Sequence, residues 1–125
     1  MSVPHTVFAL ITDTHFQIGS EVKDGTLWNR QMMSQSERIA DSLVQSLNAR
    51  EFDFVIHAGD LTHAGDRRSF EFTRAAFSRA KAPLWLTVGN HDVSELGVRS
   101  WLGTEWGIEG NLMYFSRYHR GVRYL

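Results

Sequence analysis

Val7-Phe8-Ala9-Leu10-Ile11-Thr12-Asp13-Thr14-His15 opens with five consecutive apolar residues and passes directly into an aspartate and a histidine two positions apart. A short, unbroken apolar run predicts a strand buried on both faces, since a half-solvated strand would alternate. The same transition recurs twice. Phe54-Val55-Ile56 leads through His57 and Ala58 into Gly59-Asp60, and Leu84-Trp85-Leu86-Thr87-Val88 leads into Gly89-Asn90-His91-Asp92.

Helical periods separate these strands. Ser34-Gln35-Ser36-Glu37 fits a capping box, in which a hydroxyl and a carboxylate three residues apart each satisfy an orphan backbone N–H. Behind it Ile39, Ala40, Leu43, Val44 and Leu47 fall on one helix face. Ser69 to Ala80 predicts a second helix, with Phe70, Thr73, Ala76, Phe77 and Ala80 aligned, and Pro83 resets the chain before the third strand. Strands alternating with helices imply parallel β-α-β units and an α/β fold. Gln17 to Arg30 is rich in turn formers and lacks a clear period. Leu112 to Ser116 and Val122 to Leu125 predict a C-terminal antiparallel β-hairpin around a loop at Tyr118 to Gly121.

The 125 residues suit one domain spanning 1–125, and no linker or repeat divides them. With 13 basic and 14 acidic residues the net charge is -1, which does not point to a nucleic-acid partner. Arg67, Arg68, Arg74, Arg79 and Lys81 cluster locally, and on a helix they read as a solvated face. The absence of cysteine excludes disulfides, thiolate nucleophiles and Cys-based zinc sites. Any metal must therefore be held by imidazole, carboxylate and amide oxygen, and six histidines are available. Met1 to His5 lacks the pattern of a signal segment and the apolar run after it is too short for a membrane span, so a cytoplasmic protein without membrane association is expected.

In open α/β sheets ligands bind at the carboxyl ends of the strands, which is where Asp13, His15, Asp60, Asn90, His91 and Asp92 fall. Asp13 and His15, on an extended segment, can face one way and chelate one ion. Asp60 follows a glycine that lets the backbone approach closely, and its two oxygens can bridge two ions. Asn90 offers a neutral amide oxygen, and His91 is placed to sit beside a substrate. Asp92, on reaching His91, would fix the imidazole tautomer. Asp-x-His is common by chance, and Gly-Asp and Gly-Asn also serve as plain turns. The conjunction decides: turn chemistry gives no reason for histidine at two of three strand ends.

Leu10-Ile11-Thr12-Asp13-Thr14-His15, Ala58-Gly59-Asp60-Leu61-Thr62 and Val88-Gly89-Asn90-His91-Asp92 resemble, in order and spacing, three signature blocks of the calcineurin-like metallophosphoesterases. Gly-Asp-Leu-Thr looks most like the bacterial cyclic nucleotide phosphodiesterase type. The resemblance implies the N-terminal half of a metallophosphoesterase β-sandwich with flanking helices. It also implies metal-dependent phosphoester hydrolysis of a phosphodiester, such as a cyclic nucleotide, or a phosphomonoester. Two divalent or trivalent ions (Mn, Fe, Zn or Co) are expected, with Asp13 and His15 on the first, Asp60 bridging and Asn90 on the second. His91 would contact the phosphate and act as general acid, supported by Asp92.

The family's Gly-His-x-His block has no counterpart here. The resemblance therefore also implies a domain cut off C-terminally, with an exposed apolar sheet face and edge. Such a catalytically incomplete metal-binding half-domain would await a partner that supplies the missing half. Among the other histidines, His57 reads as a core residue and His119 as part of the hairpin turn. His63, on the rim three residues after Asp60, is a candidate for substrate contact, against the plainer reading of a solvated loop residue.

Overall fold

The computed structural model describes residues 5–19, 24, 32–93, 102, 106 and 116–125. The strands β1 (Phe8–Ile11), β2 (Phe54–His57) and β3 (Leu84–Leu86) form one parallel sheet in the order β1-β2-β3. Phe8 is level with Phe54, Ile11 with His57, and His57 with Leu86. Helix α1 (Ser36–Asn48) connects β1 to β2, and α2 (Arg67–Phe77) connects β2 to β3. The expected α/β architecture of parallel β-α-β units is therefore present.

Alternation along the strands divides the sheet into two apolar faces. On one, Val55, Leu86 and the partly buried Ala9, Ile11 and Leu84 pack with Ala40 and Leu47 of α1 and Phe70, Ala76 and Phe77 of α2. Phe16 and Leu61, from the loops beyond β1 and β2, close the same core toward the carboxyl ends of the strands. The rim that carries the polar clusters is thus fastened into the core.

The other face is covered by a two-stranded hairpin, β4 (Arg117–His119) and β5 (Val122–Tyr124). Phe54 stacks on Trp85 with ring centroids 3.7 Å apart, and the Tyr124 ring meets Phe54 and Trp85 edge-on at 5.0 and 5.5 Å. Arg120 ties the turn down, donating to the His5 carbonyl and to the Asp53 carboxylate. This cover stops short of the rim: Phe8 is 42% exposed and Leu10 65%. The expectation that β1 is buried on both faces is corrected accordingly, because the hairpin meets Phe8 only through the edge-on Tyr124 ring and leaves Leu10 open.

Other expectations also change. Ser34 lies in a 3-10 turn, Met33–Gln35, and its N–H and hydroxyl both donate to Asp24, so no capping box forms. The helix begins at Ser36, whose hydroxyl donates to the Met33 carbonyl. Ile39 is largely outside the buried stripe of Ala40, Val44 and Leu47. The second helix starts two residues early because Asp66 caps it, accepting from the Ser69 N–H at 2.9 Å. The hairpin turns on Arg120-Gly121 alone, with Tyr118 and His119 inside a strand. Of the strand expected at Leu112 to Ser116 only Ser116 is described, just before β4, and most of the turn-rich stretch Gln17 to Arg30 lies outside the described residues.

Candidate functional site

Beyond Ile11 the chain does not stay extended, as its spacing had suggested, but keeps following the loop that leaves β2. Backbone N–H groups of Asp13, His15 and Phe16 donate to the carbonyls of Gly59, Asp60 and Leu61 at 3.0–3.1 Å. To keep these bonds Asp13, His15 and Asp60 all adopt positive φ, at 55°, 47° and 52°. Only one other described non-glycine residue, Arg120 in the hairpin turn, does so. Left-handed backbone in L-residues is costly and persists where the surroundings enforce it, commonly at functional sites.

The result brings carboxylates and imidazoles together. Ligand atoms of Asp13, His15 and Asp60 lie within 4.8 Å of one another, as do those of His15, His63 and His91. His15 belongs to both groups and is 8% exposed. Its Nε2 stands 3.7 Å from Asp13 Oδ1 and 3.8 Å from Asp60 Oδ2. Two carboxylates and an imidazole converging in this way suit a divalent cation, and nothing else among the described residues neutralises both acids at that distance. Asn90 is exposed at the rim, in the turn after β3.

Glycines set the spacing between loops. A Cβ on Gly89 would fall against the Asp60 carboxylate and backbone N, and one on Gly59 would lie 2.8 Å from the Gly89 N. This close approach lets the His91 N–H donate to Asp60 Oδ1 at 3.0 Å. One carboxylate of the cluster is therefore oriented by the neighbouring loop.

Asp92 takes a different role from the one its position suggested. Its carboxylate is fully buried and accepts from the N–H groups of Leu61, Thr62 and Gly89 and from the Thr62 hydroxyl, at 2.8–3.1 Å. Both oxygens are used in fastening the loop after β3 to the loop after β2, and none of these bonds reaches His91. The His91 ring is oriented instead by His63, whose backbone carbonyl lies 2.7 Å from His91 Nδ1. A carbonyl only accepts, so Nδ1 carries a proton and Nε2 carries the ring's lone pair.

His63 itself is half-buried, its ring 5.1 Å from that of His91 and 5.7 Å from that of His15. Burial, and then the neighbouring His91 and His15, push its pKa below the usual histidine value. His63 is thus a member of the cluster and not a solvated loop residue. Sequence spacing could place it on the rim but not against the other rings.

His57 is a fully buried support, as expected. The Thr14 hydroxyl donates to the Leu61 carbonyl, so His57 Nε2 must donate to the same hydroxyl oxygen, 3.0 Å away. Gly59 N–H approaches His57 Nδ1 at 3.3 Å, which requires that nitrogen to accept. The ring is therefore neutral, and it pins the residue between Asp13 and His15. Desolvation lowers its pKa to about 4, despite the opposing pull of Asp13 and Asp60.

The sequence profile of the calcineurin-like phosphoesterases matches residues 6–124. The chain belongs to that family. A curated relative, described as a "Probable cyclic nucleotide phosphodiesterase" of Rhodopseudomonas palustris, is 31% identical over 90 residues, covering 70% of this chain and 30% of the relative. A crystal structure of a dimetal phosphatase from Danio rerio superposes with a TM-score of 0.67 at 19% identity, over 82% of this chain and 34% of that one. This calcineurin-like chain thus has the fold of a dimetal phosphatase and spans about a third of the length of the relatives it matches. No helix among its described residues is long and apolar enough to cross a membrane.

Proposed function

We propose that this chain carries the first half of a two-metal phosphoesterase site, acting on a phosphodiester such as a cyclic nucleotide. The observation that carries the reading is the convergence of Asp13, His15 and Asp60 within 4.8 Å, beside a His91 ring whose Nδ1 is held by a carbonyl. The description of the Rhodopseudomonas palustris relative supports the substrate class.

Asp13 and His15 would hold one ion, Asp60 would bridge and Asn90 would serve the second; oxygen and imidazole donors suit Mn, Fe, Zn or Co. Bound there, the ions would stabilise charge on the phosphoryl oxygens and activate the attacking water. The chain's own contribution is positional. Asp60 is oriented through the His91 N–H, and Asp92 locks the two loops at the separation this requires. His91, with Nδ1–H engaged, would give a proton to the leaving oxygen from Nε2 when the ring carries a second proton there.

A second reading is a metal-binding half-domain, residues 1–125, completed by a partner. The exposed outward residues of β1, Phe8 and Leu10, favour it.

Hydrolysis of bis-p-nitrophenyl phosphate with added Mn²⁺ separates the two. Turnover that vanishes in Asp60→Ala supports the enzyme. No turnover, with one metal bound per chain, supports the half-domain.

A further inference from the structure

We propose that His15, His63 and His91 form a second, all-imidazole site for a single ion of the Zn²⁺, Cu²⁺ or Ni²⁺ type, exclusive of the carboxylate site that shares His15. The proposal goes beyond the hydrolase reading and needs no turnover.

Three rings meet at this point, with centroid separations of 4.7 Å for His15 and His91, 5.1 Å for His63 and His91, and 5.7 Å for His15 and His63. One ligand nitrogen from each lies within 4.8 Å of the other two. An ion with metal–nitrogen bonds of about 2.0–2.1 Å holds its donors roughly 3.3 Å apart in a tetrahedral arrangement. The three nitrogens close from within 4.8 Å to that separation when the ion binds.

Two further observations point to a ligand. His15 Nδ1 and His63 Nδ1 are both buried and have no hydrogen-bond partner among the described residues. Buried imidazole nitrogens ordinarily find one, since leaving such a group unsatisfied costs about 1–3 kcal/mol. His91, meanwhile, has Nδ1 bonded to the His63 carbonyl, which fixes its tautomer and leaves Nε2 as its lone-pair nitrogen. That contact also ties the His63 backbone to the His91 ring, so two members of the triad are held in register before any ion binds.

Donor chemistry distinguishes the two groups. Asp13, His15 and Asp60 offer mostly carboxylate oxygen, which favours harder ions such as Mn²⁺, whereas three imidazoles hold Zn²⁺, Cu²⁺ or Ni²⁺ in preference to that set. A neutral imidazole has one lone pair. His15 therefore serves one ion at a time, and an imidazole-preferring metal draws it away from the carboxylates.

The test loads the full chain with one equivalent of Zn²⁺ and counts coordinated imidazoles by X-ray absorption fine structure. Three are expected in the wild type. His63→Ala and the more conservative His63→Gln should each lose one imidazole and bind Zn²⁺ about tenfold or more weakly. Asp13→Asn should retain all three, because that carboxylate belongs only to the other group. A wild-type imidazole count that both His63 variants leave unchanged overturns the proposal. That outcome leaves the hydrolase reading untouched, since His63 has no part in the carboxylate group.

Discussion

The Asp92 carboxylate accepts both the backbone N–H and the hydroxyl of Thr62, at 2.8 and 3.0 Å, in a fully buried setting. With the bonds from Leu61 and Gly89, this couples the loops after β2 and β3 across a separation of about thirty residues in sequence. Asp60 and His91 lie on those two loops, so the geometry of the site depends on a residue whose two oxygens are taken up by backbone and hydroxyl donors.

Replacing Asp92 should therefore act on stability before chemistry. Asp92→Ala leaves buried N–H groups without an acceptor, and a loss of about 3 kcal/mol is expected. Asp92→Asn should be nearly as harmful. Both oxygens accept N–H groups, so the amide nitrogen must face a donor whichever way it turns. Urea midpoints at constant m-value measure both changes. Wild-type stability in Asp92→Asn would contradict this assignment.

Two glycines should respond differently to alanine. Gly89→Ala drives a methyl group into Asp60, and overpacking of this kind costs about 2–3 kcal/mol while displacing the carboxylate proposed to bridge the ions. Gly121, in the hairpin turn at φ 81°, has open space around it, so alanine there meets only backbone strain of about 1 kcal/mol. Thermal melts with and without Mn²⁺ distinguish them: the Gly121 variant should keep its metal-induced rise in Tm, and the Gly89 variant should lose it.

His57 makes stability depend on pH. Its folded pKa of about 4 lies below the ordinary value of 6.5, so the unfolded chain takes up a proton at a pH where the folded chain does not. Stability is thus full above about pH 6.5 and falls as pH drops toward 4, by about 3 kcal/mol in all. In His57→Gln that component of the slope between pH 6.5 and pH 4 should disappear. Urea midpoints at pH 7, 5.5 and 4.5 give the comparison.

Tyr124 holds the hairpin to the sheet through edge-on contacts with Phe8, Phe54 and Trp85. Tyr124→Ala should cost about 2 kcal/mol, and Tyr124→Phe little, because the contacts are made by the ring face and edge. Hydrogen exchange should show faster exchange confined to β4, β5 and the outward face of the sheet. Protection unchanged in the alanine variant would assign the hairpin's hold to Arg120 instead.

Sequence alone determined the parallel β-α-β order and the placement of Asp13, His15, Asp60, Asn90 and His91 at strand ends. Those signals are local: unbroken apolar runs, helical periods, and polar clusters directly following the runs. Tertiary structure decided what depends on separate loops meeting in space. Asp92 bonds two loops and not its neighbour His91, because backbone donors from both converge on its oxygens. Asp13 and His15 adopt left-handed backbone because they follow the carbonyls of Gly59 and Asp60. His63 joins the imidazole cluster because its carbonyl meets the His91 ring. The apolar run of β1 has the same letters whether or not a hairpin covers it, so only the family resemblance pointed to an exposed sheet face, and the structure decided that it lies at Leu10 and part of Phe8.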